Sequence, residues 1–104
     1  MKQSKSSNTF GYVYILKEPK SGLYKIGRSK NPFKRLSSLN TAAPYKLTLE
    51  HLIECDDYIK EEQFLHSILK NNKVRAEWFR LSDDVFSWLK SIPNNPCDFL
   101  RNNF

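Results

Sequence analysis

A small α/β domain, built on a three-stranded, mainly antiparallel sheet flanked by helices, is the fold this sequence predicts. Three observations predict it. Two segments rich in β-branched and aromatic residues, 11–16 and 23–27, are separated by a stretch containing Pro19 and Gly22, the composition of a hairpin. A third segment, 46–55, alternates apolar residues with the two-residue period of a strand. The stretches around 32–39, 58–70 and 82–92 carry apolar residues at helical spacing. The chain has 104 residues, enough for one modest core and too few for a catalytic domain plus an independent second one.

The elements follow in order. Residues 1–9 are polar and Ser-rich and read as a flexible N-terminal arm. GYVYIL at 11–16 places Tyr12, Tyr14 and Leu16 on one face and Val13 and Ile15 on the other, as in an interior strand buried on both sides. LYKIG at 23–27 returns as its hairpin partner. Asn31 followed by Pro32 is a helix start, because the Asn side chain caps free amides and proline is tolerated in the first turn. That helix runs to Leu39, with Phe33, Leu36 and Leu39 apolar and Arg35 at the edge of the buried stripe.

The third strand, 46–55, puts Leu47, Leu49, His51, Ile53 and Cys55 on one side. Asp56 and Asp57 cap a second helix, 58–70, whose stripe of Ile59, Phe64, Leu65, Ile68 and Leu69 faces the sheet. EWFRL at 77–81 is a short strand or an extended segment. SDDVFSWLKSI at 82–92 is a capped amphipathic helix that Pro93 stops. The domain therefore spans 10–92, and residues 93–104 form a C-terminal tail, packed back or flexible.

Composition narrows the function. The chain has 17 Lys and Arg against 11 Asp and Glu, a net charge of +6. Residues 1–49 hold ten basic groups and one acid, and residues 50–104 hold seven basic groups and ten acids. A basic half attracts polyanions such as nucleic acid through long-range attraction and counterion release, though charge alone does not name the polyanion. Cys55 and Cys97 are too far apart in sequence for a CxxC pair and read as free thiols rather than a zinc or redox motif. No apolar run approaches the roughly 20 residues of a membrane span, and the start lacks a signal-peptide core. The expected location is cytoplasmic.

One helix position calls for chemistry. On a helical wheel centred at Tyr58, Leu65 and Leu69 lie within roughly 20° and Glu62 about 40° away, so Glu61 and Glu62 fall inside or beside the apolar arc. A buried carboxylate needs a basic partner, a proton or a cation. The wheel does not choose between the two. Tyr12, Tyr14, Tyr24, Lys25, Arg28 and Arg35 crowd the first third of the chain. They combine phenols with cations that can grip a phosphate, or simply form core, rim and solvated surface.

The order of the motifs resembles a known family. Val13-Tyr14, then Tyr24-Lys25-Ile26-Gly27, then Arg35, then Glu62-Q-F-L-His66, then Glu77-Trp78-Phe79 is similar to the GIY-YIG nuclease superfamily. More narrowly, it is similar to the compact branch found in phage and in meiotically up-regulated proteins. The resemblance covers residues 11 to about 84 and implies a GIY-YIG-like fold with a cleft beside the first hairpin.

It also implies a metal-dependent endonuclease in which Tyr14, Lys25, Arg35 and Glu62 are catalytic. Tyr14 takes the place of the tyrosine that helps activate water. Lys25 stands where the second motif usually has tyrosine, as in some restriction-type relatives. Arg35 would stabilise the charge of a pentavalent phosphorus, and Glu62, now distinguished from Glu61, would bind Mg2+ or Mn2+. His66, one turn beyond Glu62, either supports the site by orienting water or a carboxylate or is a packed, hydrogen-bonded histidine, and Glu77 would support the site from the lining of the cleft. Two positions depart from the larger family: Tyr12 replaces the first motif's glycine, and Leu39 replaces a histidine common four residues after the arginine.

Within this reading Arg28, Lys30, Lys34 and Arg35 hold the nucleic-acid backbone. The partner is DNA, with structured RNA not distinguished from it, and target choice falls to a homodimer, a separate specificity partner or the chain ends. The alternatives are a catalytically weak or inactive nucleic-acid-binding module of the same fold, and a protein-interaction domain whose charge is incidental.

Overall fold

A computed structural model of the chain describes residues 9–42 and 46–96. Five strands form one sheet: β1 (Gly11–Lys17), β2 (Tyr24–Ser29), β3 (Thr48–Cys55), β4 (Lys73–Arg75) and β5 (Trp78–Phe79). Among the described residues they are accompanied by the helices α1 (Pro32–Ala42), α2 (Tyr58–Ile68) and α3 (Asp83–Lys90). The spatial order is β3-β1-β2-β5-β4, and every pairing is antiparallel.

The sheet thus has five strands where the sequence predicted three. The two extra strands have three and two residues, too short to carry an alternation, and the pairing of β5 with β2 and of β4 with β5 makes them strands. A two-residue turn joins them, and Ala76 in that turn has φ +48°, a left-handed conformation that costs an alanine about 1 kcal/mol or more.

The β1–β2 hairpin closes as its composition predicts. Gly22 takes φ +76°, its amide bonds the Glu18 carbonyl at 2.8 Å, and the Glu18 amide bonds the Leu23 carbonyl at 2.9 Å. The helices run from Pro32 three residues past Leu39 and from Tyr58 to Ile68, where a 3-10 turn over Lys70–Asn72 replaces the last predicted residues of α2. Asp57 caps α2 by accepting from the Lys60 amide, and Ser82 caps α3 by accepting from Val85.

The two faces of the sheet build two cores. Val13, Ile15, Ile26, Ile53, Phe79, Leu65 and Leu89 pack on the side of α2 and α3. Tyr14, Leu16 and Leu47 pack on the other side, beneath Leu36 and Leu39 of α1. One expected alternation fails. β1 pairs Ile15 with His51 but Leu16 with Leu49, so Glu50 is an extra residue in β3. This β-bulge turns Leu47 and Leu49 toward α1, while Ile53 and Cys55 stay with the larger core. A single inserted residue reverses which face every later side chain takes.

The free edge of β3 is covered by the chain that follows α3. The Glu54 amide donates to Asn94 Oδ1 at 2.9 Å, the Asn95 amide donates to the Glu54 carbonyl at 2.6 Å, and His51 Nε2 donates to the Ile92 carbonyl at 2.9 Å. His51 is therefore a structural residue. Burial pushes the Cys55 thiol up to about 12, so it stays protonated and unreactive. The arm at 1–8, Cys97 and the apolar tail residues Phe99, Leu100 and Phe104 lie outside the described residues. No helix among the described residues is long and apolar enough to cross a membrane.

Candidate active site

Strand register decides which predicted site residues share a surface. Tyr14 and Gly27 are cross-strand partners, as are Leu16 and Lys25, and β5 extends the second row by pairing Trp78 with Lys25. Tyr14 and Trp78 belong to the core beneath α1. The α1 side of the sheet therefore carries Tyr14, Lys25 and Gly27. Tyr24 faces the other way and stacks on Phe86, with ring centroids 4.6 Å apart. It is thereby excluded as a stand-in for a catalytic phenol.

Gly27 is required by contact. A Cβ built on it falls on the Tyr14 ring, 2.5 Å from Cζ, well inside van der Waals contact. The phenol of Tyr14 therefore lies directly on the β2 backbone, its hydroxyl over Gly27.

Glu62 of α2 comes from the opposite face and reaches the same place because the sheet is locally incomplete. β5 ends after pairing Tyr24 and Lys25. The next residue of β2, Ile26, gives its amide to the Glu77 carbonyl at 3.0 Å and receives His66 Nε2 on its own carbonyl at 2.8 Å. Side chains of α2 thus fill the edge where a longer β5 would lie. Glu62 is buried, its side chain 7% exposed; Oε1 is 3.3 Å from Arg28 Nη1 and Oε2 is 3.5 Å from His66 Nε2. Glu61 is less buried, so the structure seats Glu62 as the carboxylate of the apolar arc.

A second ion pair stands beside the first. Lys25 Nζ is 2.8 Å from Glu77 Oε1 and 5.6 Å from the centre of the Trp78 ring. Burial pushes the Glu62 carboxyl above the usual carboxylate range; the negative charge of Glu77 adds to the push, and His66, Arg28 and Lys25 oppose it. Two acids and three basic side chains therefore share one electrostatic neighbourhood at the edge of β2.

The sign of that shift gives a stability prediction. A carboxyl whose folded pKa is raised holds its proton more tightly when folded, so its ionisation destabilises the fold progressively as pH climbs from the unfolded value, about 4.5, through the folded one. Glu62→Gln is expected to melt like the wild type near pH 4 and above it near pH 7.5. A melting difference that is constant with pH, measured by thermal scans in matched buffers, contradicts this.

Arg35 stands apart from the ion pairs. It is exposed on α1 and lines, with Lys34, Ser29, Asn31 and Ser38, an open groove of about 250 Å³. The groove lies at the Ser29 end of β2, two residues beyond Gly27. Lys30 is exposed at the same turn. Arg28, expected on the nucleic-acid backbone, is turned instead to Glu62.

A family model described as the T5orf172 domain matches residues 11–93. The chain belongs to the T5orf172 family. The matched span contains all five strands and three helices, and membership points to a nuclease or nucleic-acid-binding role without fixing an activity or a metal. No curated protein and no solved structure gives a match.

Within this T5orf172 domain, two features escaped the sequence reading. The Lys25–Glu77 pair joins residues 52 positions apart, and no local spacing connects them. The second is the split of two neighbouring aromatics: Phe79 is fully buried in the larger core, but Trp78 points to the α1 side beside Lys25. The alternation of neighbours in a strand was the available signal. No group of three or more His, Cys, Asp or Glu suited to a metal occurs among the described residues.

Proposed function

We propose that this domain is a divalent-metal-dependent endonuclease that hydrolyses DNA phosphodiester bonds, of GIY-YIG type. The observation that carries the proposal is the meeting of the buried Glu62 carboxylate with Lys25, Arg28 and Glu77 at the open edge of β2. Tyr14 lies on the adjoining Gly27. The order of motifs resembling that superfamily and the T5orf172 membership support the same reading.

The donor set fits a hard cation. Glu62 offers carboxylate oxygens, the ligands Mg2+ and Mn2+ prefer. Its contacts of 3.3 and 3.5 Å are longer than the ~2.7–2.9 Å of a strong charge-assisted bond; Arg28 and His66 would have to give way to an ion whose remaining ligands are water and phosphate oxygens. When bound, the ion supplies Lewis-acid polarisation of a phosphate oxygen.

The chain's own residues do the rest. Lys34 and Arg35 grip non-bridging oxygens of the incoming strand from the α1 groove. Tyr14, acting as the phenolate, would take a proton from the attacking water as the water oxygen bonds phosphorus; the P–O ester bond on the opposite side breaks, and the leaving oxygen takes a proton from solvent. Lys25, on the same face, keeps a positive charge near that phenolate. The fixed charge of Arg35 offsets the extra negative charge at phosphorus. Target choice rests with a homodimer or a separate partner, and the cytoplasm is where such an enzyme would work.

Purified protein incubated with supercoiled plasmid and Mg2+ or Mn2+ is expected to produce open circles, and EDTA to stop it. The pairing of Lys25 and Arg28 with the protein's own carboxylates favours a second reading, a binding module that no longer cuts. Salt-sensitive plasmid binding with neither ion supporting cleavage establishes that reading and overturns the first.

A further inference from the structure

The acidic half of the chain hides a basic element. Between residues 70 and 80 stand Lys70, Lys73, Arg75 and Arg80 with one acid, Glu77, and that acid is occupied by Lys25. All four cations are exposed. They belong to the 3-10 turn and the β4–β5 hairpin, at the edge of the sheet beyond β2.

Register distinguishes among them. Lys25 pairs with Trp78, and Trp78 pairs with Arg75. Cross-strand partners project from the same face, so Lys25, Trp78 and Arg75 form one row across β2, β5 and β4 on the α1 side; a register shift between Lys73 and Arg75 lets these residues, two positions apart in β4, take different faces. Strand spacing of about 4.8 Å puts Arg75 roughly 10 Å from Lys25. Lys73 pairs instead with Phe79, and its ammonium sits 5.6 Å from that ring's centre, on the face turned toward α2. No carboxylate among the described residues bonds Arg75.

We infer that Arg75 is a phosphate anchor for duplex DNA. It grips the backbone to one side of the scissile phosphate, across Lys25 from Lys34 and Arg35. The inference rests on the proposed nuclease reading and adds a second contact surface to it. With α1 on one side, the hairpin on the other and Lys25 between them, the strand is held on both flanks of the bond to be cut. Such two-sided support orients a flexible backbone and binds both walls to the same polyanion. Charged residues also guard exposed sheet edges against pairing with other chains. That role needs cations on β4 but is indifferent to the face they take.

The test exploits that difference. Binding of a fluorescein-labelled 20-base-pair duplex is measured by anisotropy in EDTA over a range of salt, for the wild type, Arg75→Ala, Arg75→Glu and Lys73→Glu. Thermal unfolding checks each fold. Arg75→Ala is expected to weaken binding several-fold and to reduce the steepness of the log K against log salt plot by about one. Arg75→Glu should lose more, about tenfold or beyond, with Lys73→Glu losing distinctly less. Wild-type affinity and salt slope in both Arg75 variants overturn the inference while leaving the nuclease reading standing. Equal losses at Arg75 and Lys73 overturn it too, because they show a general field rather than a contact on one face. A wild type with no salt-dependent affinity removes the parent reading and this one together.

Discussion

Replacing Glu62 by alanine is expected to bring plasmid nicking down to background, a loss on the order of 10²–10³-fold or more, while the domain stays folded. The size of the effect follows from the site. Glu62 is the deeply buried carboxylate at the edge of β2, and any cation held there depends on its oxygens. Tolerance of the fold follows from the same burial. The ionised carboxyl is disfavoured by its surroundings, so removing it relieves a cost, and Arg28, 37% exposed in its side chain, can return to water. Glu62→Gln keeps the shape and loses the charge, and should be as inactive as alanine. Cleavage by either variant at the wild-type rate, with circular dichroism showing native structure, removes Glu62 from the mechanism.

Gly27→Ala is expected to damage both the fold and the chemistry. The added methyl lands on the Tyr14 ring, and the ring cannot retreat freely because it is packed under Leu36 and beside Leu16. Overpacking of this kind costs about 1–3 kcal/mol, which lowers the melting temperature of a domain this size by roughly 5–20 °C. Whatever structure remains must carry the phenol displaced from β2, so nicking should fall even at temperatures where the variant is folded. Tyr14→Phe is the companion measurement, since it keeps the ring in place and removes only the hydroxyl. If Gly27→Ala melts with the wild type and cuts at the same rate, the close contact has no consequence. If Tyr14→Phe cuts normally, the phenol is not the proton acceptor.

These two residues show how unevenly the site could be read in advance. Glu62 was visible as a carboxylate inside an apolar helical stripe, since burial of a charge is costly wherever it occurs, though Glu61 shared the signal until the resemblance and then burial separated them. Gly27 was visible only as part of a motif. Its physical role depends on Tyr14 lying opposite, a matter of register between two strands. Glu77 could be named but not explained, because its partner is 52 residues away.

The basic residues divide in the same way. The concentration of positive charge in the first half pointed to α1 and its approaches, and Lys34 and Arg35 are exposed along a groove there. Arg28, counted with them, turns to a carboxylate. Arg75 was concealed by the acidic balance of the second half, because a sum over fifty-five residues erases a patch that spans eleven.

Local rules, then, determined the β1–β2 hairpin, the three helices and their capping residues, the free thiol at Cys55 and the basic bias of the first half. Each depends on neighbours a few positions apart. Tertiary structure decided the five-stranded sheet, the β3 bulge that sends Leu49 and Ile53 to opposite faces, and the assembly of Lys25, Arg28, Glu62 and Glu77 around one edge. Strands of two or three residues have no period of their own, and an ion pair spanning half the chain has no spacing. Both come into being only when the backbone of β2 offers unpaired groups for another segment to satisfy.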